Sequence, residues 1–153
     1  MFGDSVGAEA ILPPAHRQPR DQIGAFAMAG VDPTFAGAID HGDFIVAGLE
    51  FGEGAANSVT ALSLRAAGVA AVIARSFGRL FVQAATNIGL PALVIEEAGA
   101  IQSGDRLRID IESHKIANLS SGDRYIIRNV TDDRLDILRA GGLNEYHRRR
   151  RQM

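Results

Sequence analysis

The chain has 153 residues, 46% of them hydrophobic, enough to bury the core of a single domain spanning 1–153. A formal charge of −2 with acids and bases interspersed argues against a nucleic acid or a membrane surface as the main partner, and leaves small molecules and proteins. Cysteine is absent, which excludes disulfides, thiolate nucleophiles, thiolate-bound zinc and any iron–sulfur cluster held by this chain itself.

The opening MFGDSVGAEA lacks the basic start and apolar run of a secretion signal, and no apolar stretch approaches the ~20 residues of a membrane span. The expected compartment is the cytoplasm. Residues 1–40 contain Pro13, Pro14, Pro19 and Pro33 and little periodicity. They read as a loop-rich entry with a short helix near Asp21–Ala29, lying over the domain rather than in its core.

After the His41-Gly42-Asp43 turn, the apolar run Phe44–Gly48 predicts a buried strand. A glycine-rich loop, Phe51–Ser58, follows and leads into a helix over Val59–Ala67, with Asn57 or Ser58 as its cap and Gly68 as its stop. Val69–Ala74 is a second continuous apolar run, and Phe77, Leu80, Phe81, Ala84 and Ile88 recur behind it at helical spacing. Gly89-Leu90-Pro91 ends that helix and Ala92–Ile95 reads as a third strand, so the middle of the chain predicts β-α-β units on a parallel sheet.

The pattern then changes. Leu107, Ile109 and Ile111 alternate with Arg106, Arg108 and Asp110, as in a strand with one wet face. Lys115–Leu119 fits a further short strand, and Tyr125–Val130 another, reached through the Ser121-Gly122-Asp123 turn. Leu135, Ile137 and Leu138 mark a final short helix stopped by Gly141-Gly142. Residues 148–153 form a basic end whose Arg148–Arg151 block reads as a solvated, frayed tail, docking on an acidic partner being the alternative.

A strand, a glycine-rich turn and a helix start together expose backbone N–H groups at the positive end of the helix dipole, which suits a carboxylate or phosphate. Gly52, Glu53, Gly54, Ala55, Ala56 and Asn57 are therefore the candidate anion-binding residues. The loop is neither a GxxxxGK[ST] phosphate loop nor a GxGxxG dinucleotide fingerprint, so nucleotide binding is disfavoured; a plain tight connection is the competing reading. Ser58 and Asn57 fit either ligand contact or capping, and Glu53 fits either a solvated carboxylate or an acid–base group. His16, His41, His114 and His147 have no metal-ligand spacing, and no metal site is inferred.

Taken in order, Gly48-Leu49-Glu50-Phe51-Gly52-Glu53-Gly54, Arg65-Ala66-Ala67-Gly68, Val72-Ile73-Ala74-Arg75-Ser76-Phe77-Gly78-Arg79-Leu80-Phe81 and Asn87-Ile88-Gly89-Leu90-Pro91 resemble the swivel domain of the aconitase superfamily. By size the chain is similar to the stand-alone small subunits of 3-isopropylmalate dehydratase and its relatives. Gly3–Pro13 resembles their GDxIxTDxIIP start, and Val31–Phe35 and Leu138–Asn144 are similar too. The resemblance implies an α/β fold, a three-layer β/β/α swivelling domain that closes over a large subunit holding a 4Fe–4S cluster on its own cysteines. It implies dehydration and rehydration of a hydroxy di- or tricarboxylic acid, with the cluster as Lewis acid on the leaving hydroxyl.

The loop departs from the family's GxGSSRE. Alanines 55 and 56 stand where serines are usual, Asn57 where an arginine binds a carboxylate, and Ser58 where a glutamate is usual. An alanine methyl abstracts no proton and asparagine has no guanidinium fork. Ala8 and Glu9 likewise replace a Thr-Asp pair. Three accounts follow: a divergent hydro-lyase whose base is the displaced Ser58 or a large-subunit group, a silent regulatory or structural homologue, or a carboxylate-binding module. Arg17 and Arg20 are candidates to replace the lost arginine; Arg75 and Arg79 read by default as structurally paired.

Overall fold

The apolar runs form strands where they can be buried on both faces. In the computed structural model, which describes residues 1–16, 20–54 and 57–151, β1 (Phe44–Ala47), β2 (Ala71–Ala74) and β3 (Ala92–Val94) make a parallel sheet in the order β1-β2-β3. Ile45 pairs with Val72, Val46 with Ile73, and Ile73 in turn with Leu93. Period-two geometry sends alternate side chains to opposite faces. Ile45, Ala47, Val72, Ala74 and Ala92 enter one core cluster with the helices, whereas Val46, Ile73 and Leu93 enter another with the second sheet.

That second sheet is an antiparallel meander of β4 (Leu107–Asp110), β5 (Lys115–Asn118) and β6 (Arg124–Ile126). Leu107 and Ile109 turn inward and Arg108 and Asp110 outward, the alternation of a one-sided strand. The helices of the opposite layer are α1 (Ala8–Ile11), α2 (Phe35–Ala38), α3 (Asn57–Ala67), α4 (Phe81–Asn87), α5 (Asp132–Ala140) and α6 (Leu143–Arg151). The fold is the three-layer β/β/α arrangement.

Several boundaries differ from the sequence expectation for physical reasons. Val69 and Ala70 stay outside β2: the Val69 N–H returns to Leu64 O and the Ala70 N–H goes to Asp43 O. Phe77 lies before α4, because residues 76–78 run extended beside Phe51 in a parallel bridge. The strand expected through Val130 leaves the second sheet after Ile126. There the Arg128 N–H donates to Val94 O at 2.9 Å, and the Asn129 side chain accepts from Val94 N and donates to Ala92 O, each at 2.9 Å. Asn129 thus caps the free edge of β3 with a side-chain amide.

The helix expected at Asp21–Ala29 is a 3-10 helix, Arg20–Phe26. The entry segment also does not merely lie over the domain: Val6, Ile11, Leu12, Ile23, Ala27 and Met28 are all buried. They supply the outer side of the core around α3, where Gly24 approaches Ala66 so closely that a β-carbon would sit 2.9 Å from its carbonyl carbon. At the other end, Arg148–Arg151 do not fray but complete α6, as cations at a helix C-terminus favour. The Arg148–Glu145 ion pair at 3.1 Å spans one turn.

Candidate functional site

The loop after β1 is held by backbone bonds on two sides. On one side the entry segment pairs with it: Ser5 N donates to Leu49 O at 2.7 Å, Gly52 N to Val6 O at 2.7 Å, and Ala8 N to Glu53 O at 2.8 Å. The Asp4 carboxylate adds an acceptor for Leu49 N at 2.8 Å. On the other side the segment after β2 pairs with it: Arg75 N donates to Gly48 O at 3.0 Å, Phe51 N to Ser76 O at 3.1 Å, and Gly78 N to Phe51 O at 2.7 Å. Ser76 Oγ accepts from Glu50 N at 2.8 Å.

Three aromatic rings anchor this lattice from beneath. Phe51 and Phe81 are fully buried and meet edge to face at 5.4 Å, and Phe77 stacks on Phe81 at 5.7 Å. The glycines are required by geometry. Gly52 has φ 81° and lies against the Phe81 ring, while Gly78 packs so tightly on Glu53 that a β-carbon would sit 2.5 Å from its Cα. Gly54, at φ 125°, turns the chain toward α3.

This arrangement lies at the carboxyl ends of β1 and β2, where open α/β sheets bind ligands. α3 begins at Asn57, so Ser58 sits inside its first turn and is exposed. Glu53, Glu9 and Glu50 are exposed at the same edge, as are Arg75 and Arg79. Gly52, Glu53 and Gly54 thus lie in the loop and Ser58 in the first turn of the helix that follows it. Arg17, Ala55 and Ala56 lie outside the described residues, as do the side chains of Asn57 and Arg20. Structural pairing is the sequence expectation for Arg75 and Arg79; among the described residues neither side chain has a hydrogen bond or an ion pair.

The surface is an open edge. A groove of about 650 Å³ passes Asp43, Gln102 and Arg106, and another of about 410 Å³ passes Arg108, Asp110 and Arg139; neither is lined by the glycine loop. Among the described residues no group of three or more His, Cys, Asp or Glu side chains is placed to hold a metal ion. With no cysteine in the sequence, the chain's own donor set does not fit an iron–sulfur cluster.

The Aconitase C-terminal domain family model matches residues 33–98, the stretch containing β1, the glycine loop, α3, β2, α4 and β3. The 3-isopropylmalate dehydratase small subunit of Moorella thermoacetica is 38% identical over 95% of this chain and 89% of its own length. The chain belongs to the aconitase-type small-subunit family. Other members include the methanogen homoaconitase small subunit of Methanothermobacter thermautotrophicus, 37% identical over 95% of this chain and 86% of that protein. The crystal structure of 3-isopropylmalate dehydratase from Methanocaldococcus jannaschii matches with a TM-score of 0.92 and 31% identity, covering 99% of this chain and 91% of that one. The family relationship extends over nearly the whole chain, entry segment included.

Proposed function

We propose that this chain is the small subunit of an aconitase-type hydro-lyase, which closes over a large subunit and presents the Phe51–Ser58 edge to a hydroxy di- or tricarboxylic acid. The observation that carries this reading is the retained backbone cradle: Gly52 and Gly54 in left-handed backbone, tied to the entry segment and to the segment after β2, ahead of the 11-residue α3. The Gly52 N–H is bonded to Val6 O, so what this edge offers a carboxylate is the positive end of the α3 dipole, which needs no particular loop side chain. The open edge also suits a site completed by a second chain. In this reading the 4Fe–4S cluster is the large subunit's, because it needs thiolates that this sequence lacks.

Ser58 is the proton-transfer group of this proposal, displaced within the first helical turn from the serine positions that Ala55 and Ala56 have lost. No helix among the described residues is long and apolar enough to cross a membrane, and a cytoplasmic location belongs to the same proposal. A second reading rests on the loop itself: Ala55, Ala56 and Asn57 remove the family's serines and arginine, which favours a silent subunit that binds a carboxylate or regulates its partner.

The experiment is anaerobic purification of the tagged chain with its co-purifying large subunit, followed by assays on a panel of hydroxy di- and tricarboxylates with wild type and Ser58→Ala. A fall in kcat of about 100-fold or more in the variant supports the serine. Retained turnover moves the base to Glu53 or to the partner. A wild-type complex that binds these acids without turning any over establishes the silent reading instead.

A further inference from the structure

The family's loop arginine is absent here, yet the same edge carries two arginines without a side-chain partner among the described residues. Arg75 directly follows β2, the central strand of the parallel sheet, and its N–H is bonded to Gly48 O at the start of the glycine loop. Arg79 follows Gly78, whose Cα packs on the backbone of Glu53 within that loop. The backbone of Arg75 therefore lies beside the loop's beginning and that of Arg79 one residue from its glycine turn. Both residues are exposed, and among the described residues neither guanidinium has a hydrogen bond or an ion pair.

Among the described residues, then, structural pairing does not account for them. Electrostatics argues for another role. Glu9, Glu50 and Glu53 are exposed at this edge, and three carboxylates repel a di- or tricarboxylate unless cations offset them. Asn57 offers no charge. The positive end of the α3 dipole suits one carboxylate; a second, distal carboxylate on the same substrate calls for a charge-assisted partner, and guanidinium is the group whose fork matches it.

We infer that Arg75 and Arg79 form the cationic subsite for the distal carboxylate of the substrate, in place of the missing loop arginine. This rests on the proposed function for its substrate class, but it concerns binding and is tested by binding as well as by turnover.

The test uses the complex with the large subunit. Dissociation constants for citrate, malate and succinate are measured by calorimetry for wild type, Arg75→Gln, Arg79→Gln and the double variant, with Arg75→Lys/Arg79→Lys as the conservative pair. Arg17→Gln and Arg20→Gln serve as comparisons, and melting temperatures are followed throughout. The expected result is affinity for the acids that wild type binds lowered about 10- to 100-fold in the double Gln variant, partly restored by Lys, with an unchanged melting temperature. In complexes that turn over, KM rises by the same factor while kcat holds within about 3-fold, as removal of uniform binding requires. Affinities within about 3-fold of wild type in the double Gln variant overturn the inference, as does a loss confined to Arg17→Gln or Arg20→Gln, or a wild-type complex that binds none of the three acids. A complex that binds but does not turn over overturns the hydro-lyase reading while leaving the arginine result readable.

Discussion

The ring of Phe81 occupies the space that a β-carbon on Gly52 would need: that atom would lie 2.5 Å from Phe81 Cγ. Gly52 also has φ 81°, so two independent constraints demand glycine at the first turn of the loop. The loop and the start of α4 are therefore one packed unit, and the shape of the glycine loop depends on an aromatic ring 29 positions later in the sequence.

Gly52→Ala should lower stability by about 2–5 kcal/mol, combining left-handed strain with overpacking. Gly104, at φ 89° with no heavy atom within 4 Å of the place its β-carbon would take, is the matched control and should lose only about 1–2 kcal/mol as Ala. Urea midpoints of the two variants measure the difference, which isolates the packing of Phe81.

Reinstating the cation at position 57 should relieve the need for the other two. Asn57→Arg placed on the Arg75→Gln/Arg79→Gln background is expected to recover about 10-fold in carboxylate affinity, the contribution of one charge-assisted pair. Calorimetric titration with the acid that wild type binds reads the recovery directly.

Asn129→Ala should cost about 2–4 kcal/mol. It leaves the Val94 N–H and the Ala92 C=O at the edge of β3 without the amide that now satisfies both. Hydrogen exchange at the Val94 amide should accelerate more than at the Ile73 amide of the central strand, and equal acceleration at both would show global loosening instead.

Acid should weaken the link between β4 and β5. The Asp105 carboxyl is held below its ordinary 3.8 by the Gln102 N–H and then by the Asn118 side-chain amide, and Asn118 is itself buried. A depressed carboxylate pKa contributes stability that is complete above 3.8 and is lost as the pH falls through the lower folded-state value. Melting temperature followed from about pH 7 to about pH 2 should therefore fall less steeply at the acid end in Asp105→Ala than in wild type, although the variant starts from a lower plateau.

Much of this fold is legible because burial imposes patterns. Phe44–Ala47, Ala71–Ala74 and Ala92–Val94 are continuous apolar runs because each contacts helices on one face and a second sheet on the other. Leu107–Asp110 alternates because only one of its faces is covered. The strand, glycine loop and helix start were legible for the same kind of reason, since that order of elements needs no tertiary information to be recognised.

The entry segment carried no such pattern. Val6, Ile11, Leu12 and Met28 are core residues in short, irregular stretches, and irregular backbone has no period to betray which side is buried. For Arg75 and Arg79 the sequence offers only a default: an arginine beside a strand end is ordinarily paired, and whether a partner is within reach is a matter of distance that sequence does not contain.

By itself, then, the sequence determined the strands, the helix order, the family and the loss of the loop's serines and arginine, because each is written in local composition or in residues read in order. Only the tertiary structure decided that residues 3–8 and 75–78 clamp the glycine loop from both sides, and that Asn129 closes the edge of β3. These relationships join segments tens of residues apart through single backbone hydrogen bonds and close packing, and such contacts leave no periodic trace along the chain that makes them.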